Sequence, residues 1–470
     1  MTKRILISQT PELVGETIFL QGWAEGKRDH GKVTFIDLRD RSGVIQCVGV
    51  GMMGEVTAES VISITGLVKQ RPEKLINPKL KTGSVEIEVK SYEVLNKSKE
   101  LPIPINTDGK EISEEPRLKY RYLDLRRSRL QKVMKMRSEF IRAIRDNLYT
   151  EDFVEIETPM LTKSTKEGAR DFLVPSRFNP GKFYALPQSP QQYKQLLMTS
   201  GFERYFQIAR CIRDEYLRAD RGFEFTQLDL EMSFVDQQQV MDLVEETVKK
   251  SVKAVGGKLK DETFPVVTYQ DAMNNYGEDR FDLRSEEEKE QGVLAFAWVV
   301  NFPFFKQVDK KDVAEVRDGK SGWTFTHNPF SSPLPGDKED HLAHENIENI
   351  KTAQYDLVCN GYEVGGGSIR AHNPELLRAT FEIMGYSNEQ IEEGVGHMLK
   401  AFELGTPPHG GIALGLDRLV MLLAGEESLK EVIAFPMSST GKTSVMDAPN
   451  GVSEEQLAEL SLAVKFKKED

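Results

Sequence analysis

Short runs in which apolar and polar residues alternate, punctuated by turn formers, fill residues 17–95. TIFLQGWA, VTFIDLRD, GVIQCVGV, SVISITGLV and SVEIEVKSYEVL each predict a strand. No long helical period separates them, so they predict a small antiparallel barrel. A linker with Pro102, Pro104 and Pro116 follows, then a basic helix over 120–150 with apolar residues at helical spacing around Met134, Phe140, Ile141 and Ile144. The strand FVEIETPML closes at Pro159. Beyond residue 160 the pattern predicts strands at 183–186, 204–212, 223–234, 294–302, 361–371 and 411–416. It predicts helices at 189–200, 236–254, 340–357, 373–384, 387–403 and 418–424. Regular βαβ alternation is absent, which points to an α+β fold: a mainly antiparallel sheet flanked by helices. Residues 255–292, with the run RSEEEKEQG, read as a connection.

Length and charge narrow this picture. A chain of 470 residues allows two to three domains, and 39% hydrophobic with 29% charged residues fits a folded protein rather than a disordered one. Net charge is −12, which gives no general attraction to nucleic acid, yet 117–145 and 69–81 are strongly basic. Each is either a solvated face or a track for a polyanion. No apolar run reaches membrane-spanning length, so no membrane partner is expected, and the first residues lack the apolar core of a signal peptide. Cys47, Cys211 and Cys359 lie far apart without CxxC spacing. That argues against a disulfide framework or a zinc site and for a reducing, cytoplasmic setting.

Candidate chemistry concentrates in a few stretches. In FEFTQLDLEMSF, Phe225, Gln227, Asp229 and Glu231 share one face of a strand and Leu228, Leu230, Met232 and Phe234 the other. A face of carboxylates and amide on a central sheet is costly unless a ligand satisfies it. QSPQQYKQLLM puts Gln191 and Lys194 on one helix face. NGYEVGGGSIRAH places three glycines in a strand, the mark of a bulge or of close approach to a ligand. Asp356 and Glu363 flank that region and could hold Mg²⁺. HGGIALGLDRLVMLL runs from strand to helix with Arg418 at the junction, a place suited to a phosphate. The barrel is a candidate OB-fold, in which Phe35 either stacks a base or fills the core.

Together these stretches resemble a class II aminoacyl-tRNA synthetase, and within that class the bacterial-type aspartyl-tRNA synthetases, over nearly the whole chain. FVEIETPML resembles motif 1, CIRDEYLRADRGFEFTQLDLEMSF motif 2 and GGIALGLDRLVMLL motif 3. FYALPQSPQQYKQLLM and GYEVGGGSIRAH resemble the aspartate-specific segments. The resemblance implies an OB-fold anticodon-binding domain over 1–105, a linker over 106–130 and a class II catalytic domain over 131–470. It implies ATP-dependent attachment of L-aspartate to aspartate tRNA through an aspartyl-adenylate, with Mg²⁺, in a homodimer.

For ATP the resemblance implies Arg213 on the α-phosphate and Glu215 and Phe225 at the adenine. It implies Arg418 on the γ-phosphate, Asp214, Gly415, Leu416 and Asp417 nearby, and Asp356 and Glu363 on the metal. For aspartate it implies Arg370 and Lys194 on the side-chain carboxylate and Glu167, Gln191 and Asp229 around the ammonium, with Ser189, Arg213 and His327 in the site. For tRNA it implies Arg218 and Arg221 at the acceptor end and Arg28, His30, Phe35 and Gln46 at the anticodon. His30 is either an exposed turn residue or the sign of a relaxed enzyme that charges asparagine tRNA as well. Two features depart from the usual pattern: the inserted domain of bacterial relatives is absent at 255–292, and His327–Asn328 stands where two histidines are common. One parity conflicts with the assignments. Glu363 and Arg370 are seven apart, so a regular strand would put them on opposite faces unless the glycines bulge it.

Overall fold

The computed structural model describes residues 3–165 and 167–465. The outer ends of the expected domains, residues 1 and 470, lie outside them. The chain divides after Pro104 into two compact units.

In the first unit, β1 (Thr17–His30), β2 (Val33–Asp40), β3 (Gly43–Val50), β4 (Val61–Gln70) and β5 (Val85–Asn96) close into a barrel in the order β1-β2-β3-β5-β4. Alternation sends Ile36 and Leu38 of β2 and Ile45 and Cys47 of β3 inward, where they meet Ile62, Ile64 and Ile87. Phe35 has the opposite parity. It is half-buried on the outer face and not part of the core, so the core reading fails. The barrel is not wholly antiparallel, because β3 and β5 pair in parallel. A ring with an odd number of strands cannot alternate direction at every seam.

In the second unit, α1 (Ser128–Thr150), β6 (Val154–Glu155), α2 (Gln191–Thr199), β7 (Arg204–Ile212), β8 (Glu224–Ser233) and α3 (Gln237–Ala254) come first. They are followed by β9 (Val266–Thr268), β10 (Phe296–Val300), β11 (Gln354–Cys359), β12 (Tyr362–Ile369), β13 (His409–Gly415) and α4 (Leu416–Ala424). The eight strands form one sheet in the order β9-β10-β11-β12-β13-β8-β7-β6, antiparallel in the centre with a parallel strand at each edge. Leu228, Leu230, Ile412, Leu414 and Leu357 cover one face and pack with Phe140 and Ile144 of α1, Val244 and Val248 of α3 and Val420 of α4. The opposite face carries the polar residues.

Three expected elements come out differently. The basic stretch is not one helix: short helices Glu114–Lys119 and Arg121–Asp124 precede α1, and buried Asp124 gathers Arg117, Arg121 and Arg127 around it. Of FVEIETPML only Val154–Glu155 pairs as strand. The helix expected over 340–357 is a helix only over Lys338–Ala343. His344 and Asn346 then take left-handed backbone, and 354–359 become β11. All six residues of β11, QYDLVC, are buried, and its polar–apolar alternation lasts only from Gln354 to Leu357, the shortest run that marks a strand.

Candidate active site

A cavity of about 330 Å³ opens on the polar face of the sheet. β8 sends Phe225, Gln227 and Asp229 into its wall, and α2 adds Gln191 and Lys194, one turn apart at its start. Glu363 and Arg370 of the glycine-bearing strand line it together. A bulge makes this possible: Leu357 of β11 pairs with Gly365 but Val358 pairs with Glu363, so Val364 is the extra residue and resets the parity.

The inner end holds four buried charges. Arg370 donates to Glu231 from Nε at 2.8 Å and from Nη2 at 3.2 Å, and Nη1 donates to Ser368 Oγ at 2.8 Å. Lys194 Nζ lies 2.6 Å from Asp229 Oδ1 and 3.2 Å from Glu231 Oε2. The expected basic end is thus charge-balanced before any ligand arrives. Glu231 completes the balance. The resemblance implies no role for it, although it shares the strand face of Asp229.

Burial alone would raise the Glu231 carboxyl, but Arg370 and Lys194 overcome it and hold its pKa at about 2. Asp229 is pushed up by burial against the pull of Lys194. Burial also raises Glu167, against the hydrogen bond that Ser189 Oγ donates to its Oε2 at 2.6 Å. Among the described residues, Asp229 Oδ2, Glu167 Oε1 and Gln191 Nε2 are buried without hydrogen-bond partners. Two orphaned acceptors and one orphaned donor in a single cavity call for a ligand that carries a cationic donor and an acceptor.

Arginines dominate the outer end. Arg213 Nε donates to the Gln188 carbonyl at 3.2 Å, and its guanidinium lies 5.0 Å from the Phe225 ring. Among the described residues it has no carboxylate partner. Arg418 Nη1 donates to the Glu363 carbonyl, and Nη2 lies 3.0 Å from Asp220 Oδ2. Arg221 pairs with Glu215 at 3.0 Å. Asp417 lines the cavity, but it is held by the Thr226 N–H at 2.7 Å and Arg137 at 2.5 Å. It therefore fixes the strand-to-helix junction that carries Gly415 and Arg418.

Asp356 Oδ1 and Glu363 Oε1 converge over Gly366: an added Cβ there would lie 3.1 and 3.5 Å from them. Asp356 Oδ2 is 3.1 Å from His327 Nε2. Burial lowers the His327 pKa, but the charge and hydrogen bond of Asp356, together with the charges of Glu363 and Asp279, raise it on balance. Asn328 Oδ1 accepts from Phe330 N at 3.0 Å and Ser331 Oγ at 3.3 Å, bracing the turn after His327.

Some expected residues lie elsewhere. Leu416 is in the core, and Asp214 pairs with Arg170 at 3.5 Å, away from the cavity. Arg218 bridges to Arg221 at the loop tip and lines a separate depression with Arg210 and Lys430. Gln354, Asp220 and Arg280 line the cavity without having been anticipated. Asp220 and Arg280 sit in a loop and a connection where no period marks a functional face, whereas Gln354 shares its strand face with Asp356. In the barrel unit, Arg28, His30, Phe35 and Gln46 share one depression. Arg28 Nη2 donates to Asp37 at 3.1 Å and Gln46 at 3.3 Å, and His30 meets Phe35 edge-on at 5.7 Å.

Residues 113–439 match the family model for class II tRNA synthetases (D, K and N), and residues 18–95 match that for the OB-fold nucleic-acid-binding domain. An aspartate–tRNA ligase of Staphylococcus carnosus is 38% identical over 97% of this chain and 98% of its own. An aspartate–tRNA(Asp/Asn) ligase of Pelagibacter ubique is 38% identical over 97% of each chain. The two alignments run over 578 and 589 positions against 470 residues here, so both relatives carry a long stretch that this chain lacks. Asparaginyl-tRNA synthetase from Pyrococcus horikoshii superposes with a TM-score of 0.73 at 24% identity, over 93% of this chain and 98% of that one, a likeness of fold.

Proposed function

This chain belongs to the class II tRNA synthetases of the D, K and N group, and on that premise we propose that aspartate is the amino acid it activates. ATP is a substrate of the family and tRNA the acceptor. The observation that carries the choice of aspartate is the inner end of the cavity: buried Arg370 and Lys194 beside the orphaned acceptors of Asp229 and Glu167. A substrate with an ammonium and a side-chain carboxylate satisfies both sets. A lysine side chain would bring a third cation against Lys194 and Arg370. An asparagine amide would bring N–H donors of its own against the donors of Arg370 and Lys194. ATP–pyrophosphate exchange driven by aspartate, and not by asparagine or lysine, is the test; equal exchange with asparagine would refute the assignment.

The α-carboxylate of aspartate attacks the α-phosphorus of ATP, and pyrophosphate leaves. Arg213 neutralises charge on the α-phosphate and Phe225 stacks the adenine, with Arg418 at the triphosphate end, so catalysis rests on positioning and electrostatics. Asp356 and Glu363 suit Mg²⁺, which prefers one or two carboxylates plus phosphate oxygens and, when bound, neutralises phosphate charge. In the second step the terminal adenosine hydroxyl of tRNA takes the aspartyl group and AMP leaves. The loop with Arg218 and Arg221 meets the acceptor end, and the Arg28–Phe35–Gln46 face meets the anticodon. The working form is a homodimer in the cytoplasm, a reading supported by exposed Met160 and Leu161 beside Pro159 and by three buried free thiols.

A second reading extends the tRNA range to asparagine tRNA. The two anticodons differ by cytosine against uracil, one offering a donor and the other an acceptor. The His30 ring, standing against Phe35, can present either partner. Charging of asparagine-tRNA transcript with labelled aspartate at a rate near that of aspartate tRNA is expected. A rate orders of magnitude lower would make the enzyme discriminating.

A further inference from the structure

One arginine in the cavity wall, Arg280, has been given no substrate contact above. Arg280 lies in the connection between β9 and β10. Its Nη2 is 3.2 Å from Glu363 Oε2, and its Nε is 3.7 Å from Asp279 Oδ1. It lines the cavity with Arg213 and Arg418.

The backbone is built to hold it there. The helix Tyr269–Tyr276 stops at Gly277, which takes the left-handed φ of +77° that the turn requires. The Tyr276 ring then stacks on Phe281 at 4.3 Å. Phe281 is sunk among Ala272, Val299 and Phe302, and its carbonyl accepts from Gly361 N at 3.1 Å, which ties the loop to the turn before β12. With Phe281 anchored inward, its neighbour Arg280 is delivered to the cavity beside Glu363. The ion pair it makes there is half exposed on the arginine side. Such a pair is weak and easily exchanged for a better anion.

We infer that Arg280 is a phosphate-binding residue for the pyrophosphate end of ATP, an inference that rests on the proposed ATP site. Its place in the cavity sets which phosphates it meets. Arg213 is fixed beside Phe225, at the adenine side. Arg280 shares Glu363 with Arg418, one on the side chain and the other on the backbone carbonyl. When the nucleotide enters, Arg280 exchanges Glu363 for oxygens of the β- and γ-phosphates. In adenylation an aspartate carboxylate oxygen bonds to the α-phosphorus. The bond from that phosphorus to the oxygen bridging to the β-phosphate breaks, and its electron pair leaves with pyrophosphate. Arg280 keeps its proton throughout and offsets the charge that accumulates on the leaving group.

The test separates this role from a structural one by comparing ATP with AMP. Calorimetric titration of wild type, Arg280→Ala and Arg280→Lys with each nucleotide in the presence of Mg²⁺ reads the binding, and pyrophosphate exchange reads the rate. Arg280→Ala should weaken ATP binding roughly 10- to 100-fold, the worth of one charge-assisted contact, and leave AMP binding unchanged. Arg280→Lys should fall between, because it keeps the charge and loses the fork. ATP affinity equal to wild type in Arg280→Ala would overturn the inference, as would equal losses for ATP and AMP, the signature of a misfolded wall. A wild-type chain that bound neither nucleotide would refute the ATP site itself, a result distinct from failure at Arg280 alone.

Discussion

Arg370 and Glu231 are buried together, with donor and acceptor 2.8 Å apart, so altering either unbalances the four buried charges that they form with Lys194 and Asp229. Arg370→Leu should abolish aspartate-dependent exchange and also destabilise the fold by roughly 3–5 kcal/mol, because Glu231 and Asp229 are left buried with only Lys194 between them. Pairing Arg370→Leu with Glu231→Leu should restore much of the urea midpoint while exchange stays absent. A double variant no more stable than the single would contradict the pairing. The same carboxyl carries a pH signature. Its folded pKa of about 2 lies below the ordinary 4.5, so its stabilisation is fully present above 4.5 and is lost as pH falls from 4.5 towards 2. Glu231→Gln should flatten that stretch of the acid-unfolding curve followed by circular dichroism. At this scale sequence identified the basic and acidic groups. It did not show that they neutralise one another, because that pairing crosses from residue 231 to residue 370.

β12 shows how one element sets the site. Its bulge at Val364 turns Glu363 and Arg370 to the same side, and neighbouring glycines have different duties. An added Cβ on Gly367 would run into the Gly411 carbonyl and the Tyr355 ring, both packed behind the strand. Gly367→Ala should therefore cost roughly 1–3 kcal/mol of stability, read from thermal or urea unfolding. An added Cβ on Gly366 would stand between the Asp356 and Glu363 carboxylates. Gly366→Ala should leave the unfolding midpoint near wild type and raise the Mg²⁺ concentration needed for half-maximal exchange. Matching stability losses in the two variants would refute this division. The GGG run was legible as a place of close approach. The bulge position was not, since it depends on which residue of β11 pairs with which residue of β12.

The two units allow the whole molecule to be dissected. Phe35 stands outside the barrel core, so Phe35→Ala should leave the barrel folded. It should cost tRNA binding roughly 1–3 kcal/mol, the worth of one stacked base, while aspartate-dependent exchange stays at wild-type rate. A loss of exchange, or unchanged tRNA affinity, would count against an anticodon face at Phe35. Sedimentation is the companion measurement for assembly: a dimer at micromolar concentration is expected, and a stable monomer would refute the homodimer.

By itself the sequence determined the barrel strands, the α+β character of the second unit and most of the cavity-lining residues. Those features are written in local periods and in motifs whose residues sit within one strand or one helix start. Tertiary structure alone decided that 354–359 is a buried central strand rather than the end of a helix, because its alternation spans only four residues before the apolar pair Val358 and Cys359 and its neighbours in the sheet come from distant segments. It alone decided that β3 and β5 close the barrel in parallel, that Glu231 balances Arg370 and Lys194, and that Arg280 reaches the cavity from the connection. Each of these joins segments far apart in the chain, and local pattern carries no record of which distant residue will complete a pair.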